Sequence, residues 1–252
     1  MTYESPFVAL REASDSRALL VGDHASNAVP AELGTLGLGG GSFTRHIAYD
    51  LGVAALVSEL SQALQAPAVL AGFSRLVIDP NRAEDDPTLI MRLSDGEIIS
   101  GNAKIDAAET ARRLSEYHRP YHDAIDRALD RIIAAGDPPL LISIHSFTPV
   151  WRGHARPWHC GVLWAGDPAT ARSCLEFLRR EPGLVVGDNE PYSGELEGDC
   201  MDRHGTRRNI DHVLIELRQD LIADPADRSV WVKRLSALVT YLMQPGAPHE
   251  QY

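Results

Sequence analysis

Cysteine is scarce in this sequence. Of 252 residues only Cys160, Cys174 and Cys200 carry a thiol, an odd number with no close pair. That argues against both a disulfide framework and a cysteine-rich structural zinc site, and the thiols read as reduced packing groups. A long apolar run is also missing. No stretch of roughly 18 uncharged apolar residues occurs, so no membrane span is expected. The first residues, Met1 to Pro6, show no basic stretch followed by an apolar core. No secretory signal is therefore expected, and the cytoplasm is the expected address. Basic excess is absent too: 24 Lys and Arg stand against 35 Asp and Glu, for a formal charge of -11. Such a chain repels phosphate, which argues against nucleic acid as a partner. An anionic small molecule stays compatible, because a local cationic pocket can sit inside an acidic surface. The glycine-rich loop Gly34–Gly41 carries neither GxxxxGK[ST] nor a strand-linked GxGxxG. Ser26 and Ser146 do not sit in a GxSxG elbow, so serine-hydrolase chemistry is disfavoured. Repeats, low-complexity tracts and linkers are not seen, and one domain over residues 1–252 is the simplest organisation.

Short continuous apolar runs are what the sequence does contain. Ala18–Gly22, 66–70, 75–79, 139–144, 160–164 and 212–217 read as buried strands. Between them, 45–65, 104–135, 169–180 and 230–243 show helical spacing, with Pro120 expected to kink or split the second. Residues 80–101 read as a long loop of the kind that often carries function. Strands alternating with helices predict an α/β fold: three α/β/α layers around a mostly parallel mixed sheet.

In open α/β sheets ligands bind beyond the carboxyl ends of the strands. Four of the expected strands end in reactive groups: Asp23-His24, Asp79-Pro80-Asn81-Arg82, His145 and Glu216. Together they suggest a hydrolytic metal site with an anion-binding arm. Catalytic zinc takes about three protein ligands and keeps one position open for water. His24 and His145 are the natural imidazoles. Asp50, expected on the first turns of the helix that follows the His24 loop, is the favoured third ligand, with His46 and Asp23 as rivals. Glu216 suits proton transfer from water to a leaving amine. Arg82 suits a bidentate carboxylate clamp, with Asn81 holding an amide or carbonyl and Asp79 orienting Arg82. Arg75 falls on the same expected strand. His118 and His122 have zinc-compatible spacing but lack the Glu of HExxH, and read as packing groups. The aromatic, basic stretch 151–159 suits a lid or packing equally well. Arg203, His204, Arg207 and Arg208 form a basic cluster that either lines the anion side of the pocket or faces solvent.

Five segments taken in order, 23–30, 45–52, 74–82, 143–147 and 212–221, resemble the N-formylglutamate amidohydrolase family. The resemblance implies an α/β/α fold similar to zinc carboxypeptidases and aspartoacylases, with one divalent metal, zinc foremost. It implies a metal-dependent amidohydrolase that splits N-formyl-L-glutamate into formate and glutamate, within amino-acid metabolism and histidine degradation. His24, His145, Asn81-Arg82 and Glu216 match the family's places for metal, substrate carboxylate and proton transfer. Asn27 stands where the wider group has a ligand Glu, which leaves Asp50 to complete the metal set and Asn27 with the substrate-binding residues. Arg75 or His204 is expected to hold a second carboxylate. Hydrolysis of another N-acyl amino acid or small amide, and metal-free carboxylate binding on the same scaffold, are the alternative functions.

Overall fold

The protein is described by a computed structural model over residues 2–244. Its framework is a seven-stranded sheet of β1 (Phe7–Leu10), β2 (Ala18–Gly22), β3 (Ala68–Ala71), β6 (Leu140–Phe147), β9 (Cys160–Leu163), β10 (Val186–Asp188) and β11 (Asp211–Arg218). Two short hairpins stand apart from it, β4 (Leu93–Ser94) with β5 (Glu97–Ile98) and β7 (Val150–Trp151) with β8 (His154–Ala155). The strand order is β1-β3-β2-β6-β11-β9-β10. The central four, β3, β2, β6 and β11, are parallel, β1 and β9 join them antiparallel, and β10 runs parallel to β9. The expected mostly parallel mixed sheet is therefore present.

Both faces of the sheet are covered. Ala18, Leu20, Ile142, Ile144, Val213 and Ile215 pack against α1 (Val53–Leu64), α4 (Pro168–Arg179) and α6 (Pro225–Leu242). Leu19, Val21, Leu141 and Leu214 pack on the other side against α3 (Arg119–Ala135) and α5 (Cys200–His204). Burial on both faces is why the strands read as continuous apolar runs. The two-residue period also fixes the chemistry. Ser143 and His145 follow Leu141 to the α3 side, and Glu216 follows Leu214 to the same side. Glu216 lies directly beside His145 in the β6–β11 register.

Two local expectations need correction and a third is met. Residues 75–79 form no strand. Val77 N donates to Ser74 O at 2.9 Å in a turn, and the side chains of Asn102 and Arg113 take up the carbonyls of Leu76 and Val77 at 2.8 and 2.7 Å. Leu76, Val77 and Ile78 are fully buried without a ladder, a case that apolar run length cannot separate from a strand. The helix expected over 45–65 begins only at Val53, because Gly52 adopts φ 86° and a Cβ there would lie 2.8 Å from Ile222. Asp50 thus precedes the helix rather than riding on it. The 104–135 region does split, into α2 (Ala107–Arg113) and α3, across a wide turn closed by Arg119 N donating to Leu114 O. Pro120 sits in the first turn of α3, which directly follows helical His118; it supplies no N–H to the preceding turn, and the wide turn before it accommodates the gap.

Arg113 is 2% exposed, and its guanidinium satisfies Val77 O, Asn102 Oδ1 and Glu109. Removing it leaves two buried acceptors short of a donor. Arg113→Ala is expected to lower stability by about 3 kcal/mol, read as a fall in the urea midpoint with unchanged slope.

Candidate active site

The carboxyl ends of β2, β6 and β11 and the 73–82 turn meet at one edge of the sheet. There a cleft of about 510 Å³ is lined by His24, Asp50, His145, Glu216, Asn81 and Arg82, among others.

Asp23 directly follows β2, is fully buried and accepts from Tyr121 Oη at 2.8 Å, Ser143 Oγ at 2.9 Å and His145 Nε2 at 2.8 Å. Burial disfavours its charge, but the hydrogen bond and charge of His145 outweigh that and hold the carboxyl well below the usual range. One residue on, His24 Nε2 lies 2.7 Å from Asp79 Oδ1. Asp79 is likewise buried and charged, held by Arg75 at 2.7 and 3.1 Å. An ionised carboxylate only accepts, so His24 donates from Nε2 and turns Nδ1 toward Asp50. That Nδ1 is buried, has no hydrogen-bond partner, and lies 3.5 Å from Asp50 Oδ2.

The same arrangement recurs at His145. Its Nε2 donates to Asp23, and its Nδ1 lies 2.9 Å from Asp50 Oδ2. The Asp50 backbone N–H donates to His24 O at 2.9 Å, and its Oδ2 also accepts from Ser146 N at 3.2 Å. One ligand atom each from His24, Asp50 and His145 fall within 4.8 Å of one another. Two imidazole nitrogens and a carboxylate oxygen, each imidazole backed by its own carboxylate, form a donor set suited to a divalent cation.

Glu216 stands beside this group, 6% exposed, with Oε2 unpartnered. Burial pushes its pKa up to about 7, against the opposing charge of His145. Arg82 forms no ion pair with any described carboxylate; its guanidinium makes a 3.4 Å contact with Asn81 O. Asn81 Oδ1 accepts from Cys200 N at 3.0 Å, which leaves its amide Nδ2 for a ligand.

Most of the site residues expected from sequence meet here, with differences. Asp79 does not orient Arg82 through its carboxylate. Both oxygens go to His24, Arg75 and Asn81 N, so Asp79 supports His24 and lines no part of the cleft. Arg75 lines the cleft from a turn, not a strand. Asn27 lies off the cleft, its amide donating to Phe43 O at 2.7 Å. His204 is buried behind the cleft, bonded to His122 and Asp126. Of the rival third ligands, Asp23 binds the far nitrogen of His145, and His46 lines the cleft outside the three-residue group. Arg203, Arg207 and Arg208 pair with Glu84, Asp202 and Asp126 and do not line it. Trp151 does line it, as do Tyr192, Thr148 and Asp199, which carry no local sequence signal. Burial pushes the Asp199 pKa up to about 7.

Comparisons with known proteins give the family and the fold. A family model described as N-formylglutamate amidohydrolase matches residues 16–223. An N-formylglutamate deformylase of Pseudomonas putida is 30% identical over 179 residues, 64% of this chain and 66% of that protein's length. The solved structure of an Agrobacterium tumefaciens gene product superposes with TM-score 0.90 at 32% identity, covering 94% of both chains. That of an N-formylglutamate amidohydrolase from Ralstonia eutropha JMP134 superposes with TM-score 0.73 at 22% identity over 95% of this chain and 97% of that one, a likeness of fold. The matched family is one of amide-bond hydrolases, and the mixed, mostly parallel sheet is its α/β setting. The chain belongs to the N-formylglutamate amidohydrolase family.

Burial opposes a proton on His145, but its hydrogen bonds to Asp23 and Asp50 prevail and raise its pKa well above 6.5. The sign follows: in metal-free protein this pairing stabilises the fold fully below the unfolded value and is lost as pH rises through the raised folded value. Ring NMR of chelator-treated protein is expected to show His145 still protonated well past the ordinary imidazole range. Addition of a divalent metal should discharge that proton.

Proposed function

We propose that this protein is a metal-dependent amidohydrolase that cleaves N-formyl-L-glutamate to formate and glutamate, and that the whole chain forms one such domain. The observation that carries the reading is the buried, unpartnered Nδ1 of His24, which faces the same carboxylate oxygen as Nδ1 of His145. His24, Asp50 and His145 would hold the ion, with zinc first among the candidates for two imidazoles and a carboxylate. When bound, it would supply Lewis-acid polarisation and lower the pKa of water.

The remaining work falls to the chain's own residues. Glu216, with its pKa near 7, takes a proton from the attacking water and returns it to the glutamate nitrogen as the C–N bond breaks. Arg82 binds one substrate carboxylate through its unpaired guanidinium, and the Asn81 amide donates to the scissile segment. Arg75 is the second arginine on the cleft wall among the described residues, and it is the candidate for the other carboxylate. Its tie to Asp79 fixes its orientation. Asp79 and Asp23 set the imidazole tautomers without touching substrate. The partner is a small molecule and the expected compartment is the cytoplasm. No described helix is long and apolar enough to cross a membrane.

The test is formate release from N-formyl-L-glutamate by metal-loaded protein and after chelation. Glu216→Gln is expected to cut kcat by about 10²–10⁴-fold with metal content unchanged. Arg82→Ala should raise KM for N-formyl-L-glutamate by more than tenfold, with a much smaller change for a substrate amidated at the carboxylate that Arg82 binds. Turnover that survives complete metal removal, or full kcat in the Gln variant, would contradict the reading. Metal-loaded protein that leaves N-formylglutamate intact but hydrolyses a larger N-acyl amino acid would move the assignment to that substrate.

A further inference from the structure

Behind the cleft, between α3 and α5, lies a second group of ligand-type side chains that the proposed chemistry does not use. His122 of α3 and Cys200 and His204 of α5 are all buried, and one donor atom from each lies within 4.8 Å of the others. Cys200 and His204 stand four residues apart, which sets them on one face of α5.

The hydrogen bonds fix which atoms turn inward. His122 Nε2 lies 3.0 Å from Pro80 O, an acceptor, and so must donate. His204 Nδ1 lies 3.0 Å from Asp126 Oδ1, which also binds Arg208, and donates as well. The inner nitrogens, His122 Nδ1 and His204 Nε2, are 2.8 Å apart and can share one proton between them. The two outer N–H groups and the shared inner proton orient both rings, and the Cys200 thiol lies alongside, hydrogen-bonded to Asp23. An outer N–H on a carbonyl or carboxylate and an inner nitrogen turned into a closed pocket is how metal-binding histidines are oriented. Beside them, His118 lies tilted at 55° against His122 with ring centres 4.4 Å apart, and its buried Nδ1 has no partner.

We propose that His122 Nδ1, Cys200 Sγ and His204 Nε2 form a second cation site, separate from His24, Asp50 and His145, which takes one borderline or soft divalent ion such as zinc. The exchange balances. One dication enters, and two protons leave, one shared by the imidazoles and one from the thiol. The net buried charge is unchanged, so Asp126 and Arg208 keep their roles. Two imidazoles and a thiolate suit zinc or cobalt over magnesium or calcium. The inner nitrogens must part from 2.8 Å to about 3.3 Å to straddle a tetrahedral ion. Asp126, whose side chain is 38% exposed, places the group one residue beneath the surface. Cys160 and Cys174 lie in the apolar core on the opposite face of the sheet and make no such group.

The test reads metal binding, not catalysis, and so stands or falls apart from the amidohydrolase reading. Full-length protein stripped by chelator is titrated with Co2+ and followed by equilibrium dialysis and by near-ultraviolet thiolate-to-cobalt charge-transfer absorption. Two equivalents are expected, one of which develops the charge-transfer band. Cys200→Ser should lose the band and one equivalent. His204→Gln, which keeps the thiol, should bind that equivalent at least tenfold more weakly. His24→Ala should keep the band. A wild-type titration without a thiolate band overturns the proposal whatever the variants do. So does a band of full strength in Cys200→Ser. Where Cys200→Ser fails to fold, the wild-type spectrum and His204→Gln decide.

Discussion

The site rests on a pairing made twice: the outer nitrogen of an imidazole donates to a buried carboxylate, His24 to Asp79 and His145 to Asp23. Each pair orients a ring, and each turns its Nδ1 toward Asp50. A buried carboxylate without such partners would be costly. Here Asp23 is met by Tyr121, Ser143 and His145, and Asp79 by Arg75, His24 and the Asn81 N–H. These anions are expensive to bury and are retained where they orient two imidazoles toward one point. Deleting any one partner leaves an uncompensated charge, so the network is held together as a unit.

The sheet supplies the rest. Parallel β2, β6 and β11 deliver their carboxyl ends to one edge. Side-chain alternation then sends Ile144 and Ile215 to one core and His145 and Glu216 to the cleft. The second layer beneath the cleft is polar where it must support the Asn81-Arg82 turn. His118 and His122 hold the carbonyls of Arg82 and Pro80, and Cys200 N holds Asn81 Oδ1. The wide turn over Leu114–His118 lets the helical segment carry both histidines inward.

Much of this was legible in the sequence where the signal is local. The runs ending at Gly22 and Ile144 and the one containing Glu216 are buried on both sides, so they stand out, and topology then puts their polar ends together. The 75–79 run misled because its backbone is satisfied by Asn102 and Arg113, far along the chain, which no local pattern reveals. Asp50 is a candidate by its place after the His24 loop, and the structure sets it beside both imidazoles, though Gly52 starts the helix later than periodicity suggests. Asp79 was seen but given Arg82 rather than His24, a partner 55 residues away. The basic neighbours of His204 suit either the anion side of the pocket or a solvated face, and they spend their charge on Asp126, Asp130 and Asp202.

The central claim is that the two carboxylate-backed imidazoles direct their Nδ1 atoms to one ion with Asp50. Diffraction from zinc-loaded crystals, measured on both sides of the zinc absorption edge, tests it most directly. An anomalous peak is expected within about 2.2 Å of His24 Nδ1, His145 Nδ1 and an Asp50 carboxylate oxygen, with both Nε2 atoms still on their carboxylates. Coordination through Nε2 of either histidine, or no zinc among these three residues, would contradict it.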